Sequence, residues 1–132
     1  MTVVEAIKQV YELEPNSQIL ATAPSNAAAD LLAERLKDHI QKRHILRVHA
    51  QSRSLSTIPE SILPISNVDR DKFTFPSMEE MCNNRVLVMT LVSSGRLVSA
   101  SFPAGHFTHI FIDEAGQVTQ KLKPVSRVQK LT

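Results

Sequence analysis

The sequence has no tryptophan, one tyrosine and one cysteine among its 132 residues. A lone thiol, Cys82, excludes an internal disulfide and makes a reducing compartment the default expectation. No apolar run is long enough to span a bilayer. Met1-Thr2-Val3-Val4-Glu5-Ala6 lacks the basic start and long apolar stretch of a secretory leader. Neither sign of charge dominates: fifteen Lys and Arg against thirteen Asp and Glu leave +2. That is too little to argue for nucleic acid from net charge, so phosphate binding would depend on local placement. Glycine is scarce too. With only Gly95, Gly105 and Gly116, and no Gly-x-x-x-x-Gly-Lys-Ser/Thr run, these residues cannot build a phosphate-cradling loop.

What is present is a series of short apolar runs separated by helical periods, in a length suited to one domain or part of a larger one. Val3, Ile7, Val10 and Tyr11 share one helical face, which predicts a helix over 2–12 ended by Pro15-Asn16-Ser17. Residues 18–23 read as a short buried strand, stopped at Pro24 because proline cannot donate to a ladder. Ser25 or Asn26 can cap the next helix, which the i+4 spacing of Leu32, Leu36 and Ile40 carries to about residue 40. Residues 45–50 read as a second strand. Residues 51–84, rich in Ser, Pro, Asn and Asp, read as a long connection or insertion over the sheet, with a short helix at 78–82. Residues 85–92 make the strongest strand, since Val86, Leu87, Val88 and Met89 are contiguous as in a strand covered on both faces. Ser93-Ser94-Gly95 is expected to turn the chain into a short helix reaching Ala100. Residues 108–112 form the next strand, ending in Asp113-Glu114. Alternating strands and helices imply right-handed crossovers and hence an α/β fold, a mostly parallel sheet with helices on both faces.

Three polar clusters then fall at carboxyl ends of strands: Pro24-Ser25-Asn26, Thr90 with Ser93-Ser94, and Asp113-Glu114. Open α/β sheets bind ligands at that edge. Of the acidic pair, the first carboxylate can hold Mg²⁺, because hard cations prefer oxygen. The second can orient and deprotonate an attacking water. A solvated acidic turn would look the same. Ser25 and Asn26 begin a helix whose free amides and dipole attract phosphate, and simple N-capping also accounts for them. Thr90, Ser93, Ser94 and Arg96 bring hydroxyls and a cation suited to phosphates and sugars, or make an ordinary strand-to-helix turn. His106 and His109 are three apart, but no further Cys or His completes the ligand set that zinc needs. Cys82 has no catalytic partner pattern beside it. Phe73 and Phe75 could stack on bases or form a satellite packing cluster.

At those three clusters the sequence resembles a family. Ala23-Pro24-Ser25-Asn26-Ala27-Ala28-Ala29-Asp30 resembles motif Ia of superfamily-1B helicases. Thr90-Leu91-Val92-Ser93-Ser94-Gly95-Arg96 resembles their next nucleic-acid-contacting motif. His106-Phe107-Thr108-His109-Ile110-Phe111-Ile112-Asp113-Glu114-Ala115-Gly116-Gln117 resembles motif II, the Walker B element. The Asp-Glu-Ala-Gly form and the preceding His-Phe-Thr-His are most similar to the Moloney-leukaemia-virus-10 and Armitage type of RNA helicase. The resemblance covers roughly residues 2–120.

The resemblance implies a RecA-like P-loop NTPase domain that uses ATP with Mg²⁺ and lays single-stranded RNA across the sheet edge. It also implies 5′ to 3′ unwinding, silencing or RNA-decay ribonucleoproteins as partners, a cytoplasmic location extending to ribonucleoprotein granules, and no membrane. By position, Asp113 would serve the metal, Glu114 the water, and Gln117 would lie near the γ-phosphate. Ser25, Asn26, Thr90 and Ser93 would contact the RNA backbone. Residues 1–120 are then expected to form part of the first RecA-like domain without its phosphate-loop strand, carrying an insertion at about 51–84. Residues 121–132 are an unmatched basic tail. Such a chain is expected to be inactive in ATP hydrolysis by itself and, with a strand edge left open, marginally stable. Two other readings stay open: a non-catalytic module binding single-stranded RNA or a partner, and a piece of a related DNA helicase.

Overall fold

The structure is a computed structural model, and it describes residues 2–74, 76–100, 103 and 105–113. Helix α1 (Val3–Leu13) starts at a reciprocal cap: Thr2 Oγ1 accepts from the Glu5 amide at 3.1 Å, and the Glu5 carboxylate accepts from the Thr2 amide at 3.4 Å. Its far end is closed by a distant cation. The Arg85 guanidinium donates to the carbonyls of Tyr11 and Glu14 at 3.0 and 2.8 Å and lies 4.2 Å from the Tyr11 ring centroid. Carbonyls that the helix cannot satisfy internally are thereby paired.

Strand β1 (Ile19–Ala23) is buried at all five positions and lies inside the sheet. It pairs in parallel with β5 (Val86–Thr90) on one side and β6 (His109–Ile112) on the other, while β2 (Ile45–Arg47) pairs in parallel with β5. The order is β2-β5-β1-β6. Ile19, Ala21, Ile45, Val86, Val88 and Phe111 face one side, where α1, α2 (Asn26–Leu36) and the 3-10 helix Glu60–Ile65 cover them. Leu20, Leu87, Met89 and Ile110 face the other, against Leu97 of α4 (Leu91–Ala100) and Met78 and Met81 of α3 (Met78–Asn83). Burial on both faces is why these strands are unbroken apolar runs rather than alternating ones. The fold is α/β, with an all-parallel four-stranded sheet and helices on both faces.

Three expectations need correction. Helix α2 ends at Leu36 rather than near residue 40; the His39 amide bonds the Leu36 carbonyl at 2.9 Å, and Ile40 enters the core from the turn beyond. The i+4 spacing of Ile40 therefore reflects burial without helix. Strand β5 stops at Thr90, and Leu91 and Val92 begin α4 directly. Thr90 Oγ1 accepts from the Ser93 amide at 3.3 Å and acts as the cap, so Ser93-Ser94-Gly95 lies within a helix and makes no turn.

Residues 51–84, expected as a long connection or insertion with a short helix at 78–82, hold that helix and more structure besides. They contain two 3-10 helices, the hairpin β3 (Val68–Asp69) and β4 (Lys72–Phe73), and α3. Both central residues of the hairpin, Arg70 and Asp71, have positive φ (52° and 64°), as a type I′ turn requires. The stretch wraps the β2 edge: Ile58, Ile62 and Ile65 pack on the α2 side, Met78 and Met81 on the α4 side, and Ser66 bridges Arg47. An otherwise open sheet edge is covered in this way.

Candidate functional site

In a parallel sheet every strand ends at the same edge. The pairings Ala23↔Thr90 and Thr22↔Ile112 therefore set the tips of β5, β1 and β6 side by side. Neighbouring strands are roughly 4.8 Å apart, so the three tips span roughly 10 Å. Five of the seven sequence-predicted site residues fall on this edge. Ser25 is the exposed cap of α2, its Oγ accepting from the Ala28 amide at 3.1 Å. Asn26, also exposed, is the first residue of that helix, where the leading amides have no intrahelical partner. Thr90 ends β5, and Ser93 sits in the first turn of α4, half-buried. Asp113 follows β6 directly, part-buried, with its amide donating to the Thr22 carbonyl at 2.8 Å. Glu114 and Gln117 lie outside the described residues, as do Phe75 and the tail 121–132.

The other residues weighed from sequence lie elsewhere. Phe73 packs against the core on the α2 side, its ring 5.9 Å from that of His49. His109 Nδ1 pairs with Thr108 Oγ1 at 2.9 Å and its Nε2 lies 3.8 Å from Glu14, while the His106 ring meets Phe107 edge-on at 4.7 Å. Burial pushes the partly buried Cys82 thiol up, away from the reactive thiolate. No helix among the described residues is long and apolar enough to cross a membrane. Beside the tips, an open apolar cleft of about 200 Å³ lies between α4 and the strands, lined by Leu20, Thr22, Leu91, Ser94, Gly95, Ile110 and Ile112. It offers almost nothing that could bind charge.

Sequence reasoning missed the polar network beneath Asn26. Asp30, buried on α2, accepts from Arg47 Nε and Nη2 at 3.2 and 3.0 Å, and from Arg53 Nη1 and Nη2 at 2.8 and 2.7 Å. Burial alone would raise the Asp30 carboxyl, but the Arg53 and Arg47 guanidinium groups outweigh it and hold the carboxyl below its usual range. His49 stands against Arg53, its Nδ1 3.1 Å from Nη1. Guanidinium nitrogens only donate, so Nδ1 accepts and the ring proton sits on Nε2, which faces Ser66 Oγ at 2.9 Å. Burial first, then the charges of Arg47 and Arg53, lower the His49 pKa to about 3. Asn67 completes the network: Oδ1 accepts from the His49 amide at 2.7 Å, and Nδ2 donates to the His49 and Thr74 carbonyls at 3.2 and 2.9 Å. One signal was available. An arginine inside an apolar strand run demands a buried acid, and Asp30 was the acid within the quoted helix motif.

The chain is similar to three curated proteins along nearly all of its length. It is 47% identical over 122 residues to the putative helicase mov-10-B.1 of Danio rerio, covering 91% of this chain and 12% of that protein. It is 43% identical over 134 residues to the putative helicase MOV-10 of Gallus gallus, covering 100% and 14%. It is 31% identical over 139 residues to the probable RNA helicase armi of Drosophila melanogaster, covering 91% and 12%. The chain thus spans about an eighth of the length of these relatives. No protein-family model matches it, and no solved structure does.

Proposed function

The chain belongs to the MOV-10 and Armitage type of superfamily-1 helicase, and on that premise we propose that its carboxyl strand edge is the RNA- and magnesium-facing edge of a RecA-like domain in an ATP-dependent RNA helicase. The observation that carries this is the adjacency of β5, β1 and β6. It brings Thr90 and Ser93, Ser25 and Asn26, and Asp113 to one line, so that the three stretches that resemble motifs of that family, separate in the sequence, meet at one edge.

Each residue has a role suited to its chemistry. The leading amides of α2, the Asn26 side chain and the hydroxyls of Thr90 and Ser93 would contact RNA phosphates and sugars, the groups that position a strand without reading its sequence. Asp113 is an oxygen donor, part-buried at a strand tip, which fits Mg²⁺, an ion commonly held through one or two carboxylates with waters and phosphates filling the other positions. Bound there, Mg²⁺ would neutralise charge on a nucleotide's phosphates. Glu114 follows Asp113 in sequence and would direct the water, and Gln117 would lie near the γ-phosphate. These 132 residues contain no phosphate-cradling glycine loop, so ATP hydrolysis is proposed for the helicase and not for this segment alone. Residues 1–120 would be the domain segment and 121–132 a separate basic tail. A cytoplasmic location and silencing or RNA-decay ribonucleoprotein partners complete the proposal.

The test is anisotropy of a labelled single-stranded oligoribonucleotide titrated with the chain, from about 50 to about 200 mM salt. Binding should weaken with salt and fall in the double variant Ser25→Ala/Asn26→Ala. No binding at the lowest salt would overturn the RNA reading. Equal binding to DNA of the same length would move the chain to a DNA helicase. Steady ATP hydrolysis by the purified chain, abolished in Glu114→Gln, would show that the segment carries a complete site.

A further inference from the structure

Arg47 is fully buried on β2, and its contacts explain what a cation does there. Besides Asp30, its guanidinium reaches the Val48 carbonyl through Nη1 at 2.8 Å and Asn26 Oδ1 through Nη2 at 3.3 Å. A guanidinium carries donors and no acceptor, so it can face only the oxygen of the Asn26 amide. The Asn26 Nδ2 is therefore turned away from Arg47, and no hydrogen bond competes for it among the described residues. We propose that Arg47, held by Asp30, is a positioning residue: it fixes the Asn26 side-chain amide with only N–H donors outward, committing Asn26 to an acceptor, an RNA phosphate oxygen.

This rests on the reading of the α2 N-terminus as an RNA-facing element. Two further observations support it. Arg53 grips both oxygens of Asp30 and donates from Nε to Thr57 Oγ1 at 3.1 Å. Asp30 thus cannot turn away from Arg47, and the segment that wraps the β2 edge locks the arrangement. The cluster also has a sign. Two guanidinium groups against one carboxylate, beside a neutral His49, leave one net positive charge under Asn26, which favours an anion above it.

Asn26→Asp separates orientation from folding. The new carboxylate is isosteric and pairs with Arg47, so the urea midpoint should hold or rise. It presents acceptors and negative charge outward, so RNA affinity should fall by about tenfold or more. Unchanged affinity would overturn the proposal. Arg47→Lys keeps the charge but loses the fork. It should weaken RNA binding several-fold in the native background and have no further effect on binding in the Asn26→Ala background, although it lowers stability in both. An equal loss of affinity in both backgrounds would make Arg47 a purely structural residue.

Should Arg47→Lys fail to fold, NMR relaxation of the Asn26 side-chain amide in the unmodified chain decides. Order comparable to the α2 backbone supports the fixed orientation. A freely averaging amide overturns it whether or not RNA binds. An ordered amide without any RNA binding overturns the phosphate assignment, and with it the RNA reading, but leaves the orientation standing.

Discussion

Lowering the pH from 7 to 5 places protons on imidazoles of the unfolded chain but not on His49 of the folded one. The ring is 1% exposed and meets Arg53 across 3.1 Å. Burial first, then Arg47 and Arg53, bring its pKa from 6.5 to about 3, against an opposing pull from Asp30. Because the folded value is depressed, the unfolded state binds the extra proton. The contribution is therefore whole above about pH 6.5 and is lost as pH falls from there towards about 3. Within that window each pH unit removes about 1.4 kcal/mol, so His49 alone accounts for about 2 kcal/mol by pH 5. Asp30 acts in the same direction at lower pH, where protonating its depressed carboxyl releases both arginines. Burial also lowers His44 and His106, so the total slope does not belong to His49 alone. A comparison isolates it. Urea unfolding of the native chain and of His49→Gln at pH 7, 6 and 5 should show the variant less stable at pH 7, yet losing about 2 kcal/mol less on the way to pH 5. Equal losses would refute a neutral buried His49, as would a His49 ring resonance that titrates near pH 6.

The polar network, the wrapped edge and the helix at Gly95 each give a further test. Asp30→Asn leaves the buried Arg47 and Arg53 without a counter-charge and should cost about 3–5 kcal/mol in urea unfolding; a loss below about 1 kcal/mol would mean that the arginines find other partners. Ile62→Ala should cost about 2–5 kcal/mol, because Ile62 is 0% exposed in the core on the α2 side; no change would mean that residues 51–84 add nothing to the core. Gly95→Ala should stabilise by about 0.5–1 kcal/mol, since Gly95 lies within α4 and nothing stands within 4 Å of the added carbon; destabilisation would favour the turn expected from sequence.

How far the sequence could be read depended on whether the physics was local. Strands β1 and β5 were legible because burial on both faces writes itself as a contiguous apolar run. The end of α2 was not, because Ile40 continues the helical spacing while reaching the core from a turn. The start of α4 was hidden for the opposite reason: Leu91 and Val92 extend the apolar run of β5 without a break, and the cap is the strand's own last residue, Thr90. That Ser25, Asn26, Thr90, Ser93 and Asp113 share the carboxyl edge followed from strand assignment alone, while the order β5-β1-β6 that makes their strands neighbours is seen only in the structure. The network below it did not, since Asp30, Arg47 and Arg53 lie on three different segments and none forms a pattern by itself.

Strand β1 is joined to the β6 tip at Asp113 by hydrogen bonding and to the start of α2 by its own backbone. Thr22 accepts the Asp113 amide on its carbonyl at 2.8 Å and donates its hydroxyl to the Phe111 carbonyl at 3.0 Å. Three and four residues further along the same chain stand Ser25 and Asn26, and Ala23 between them is paired with Thr90. Every side chain of β1 is buried, Ala21 and Ala23 completely, so the strand has little room to absorb a displacement locally. A load on Asp113 thus reaches the β1 tip through its amide bond to the Thr22 carbonyl. From there it reaches Asn26, whose orientation is clamped from below by Arg47. On the proposed reading, occupancy at the metal-holding end and grip at the RNA end are linked through that β6–β1 hydrogen bond and the few residues of backbone from Thr22 to Asn26.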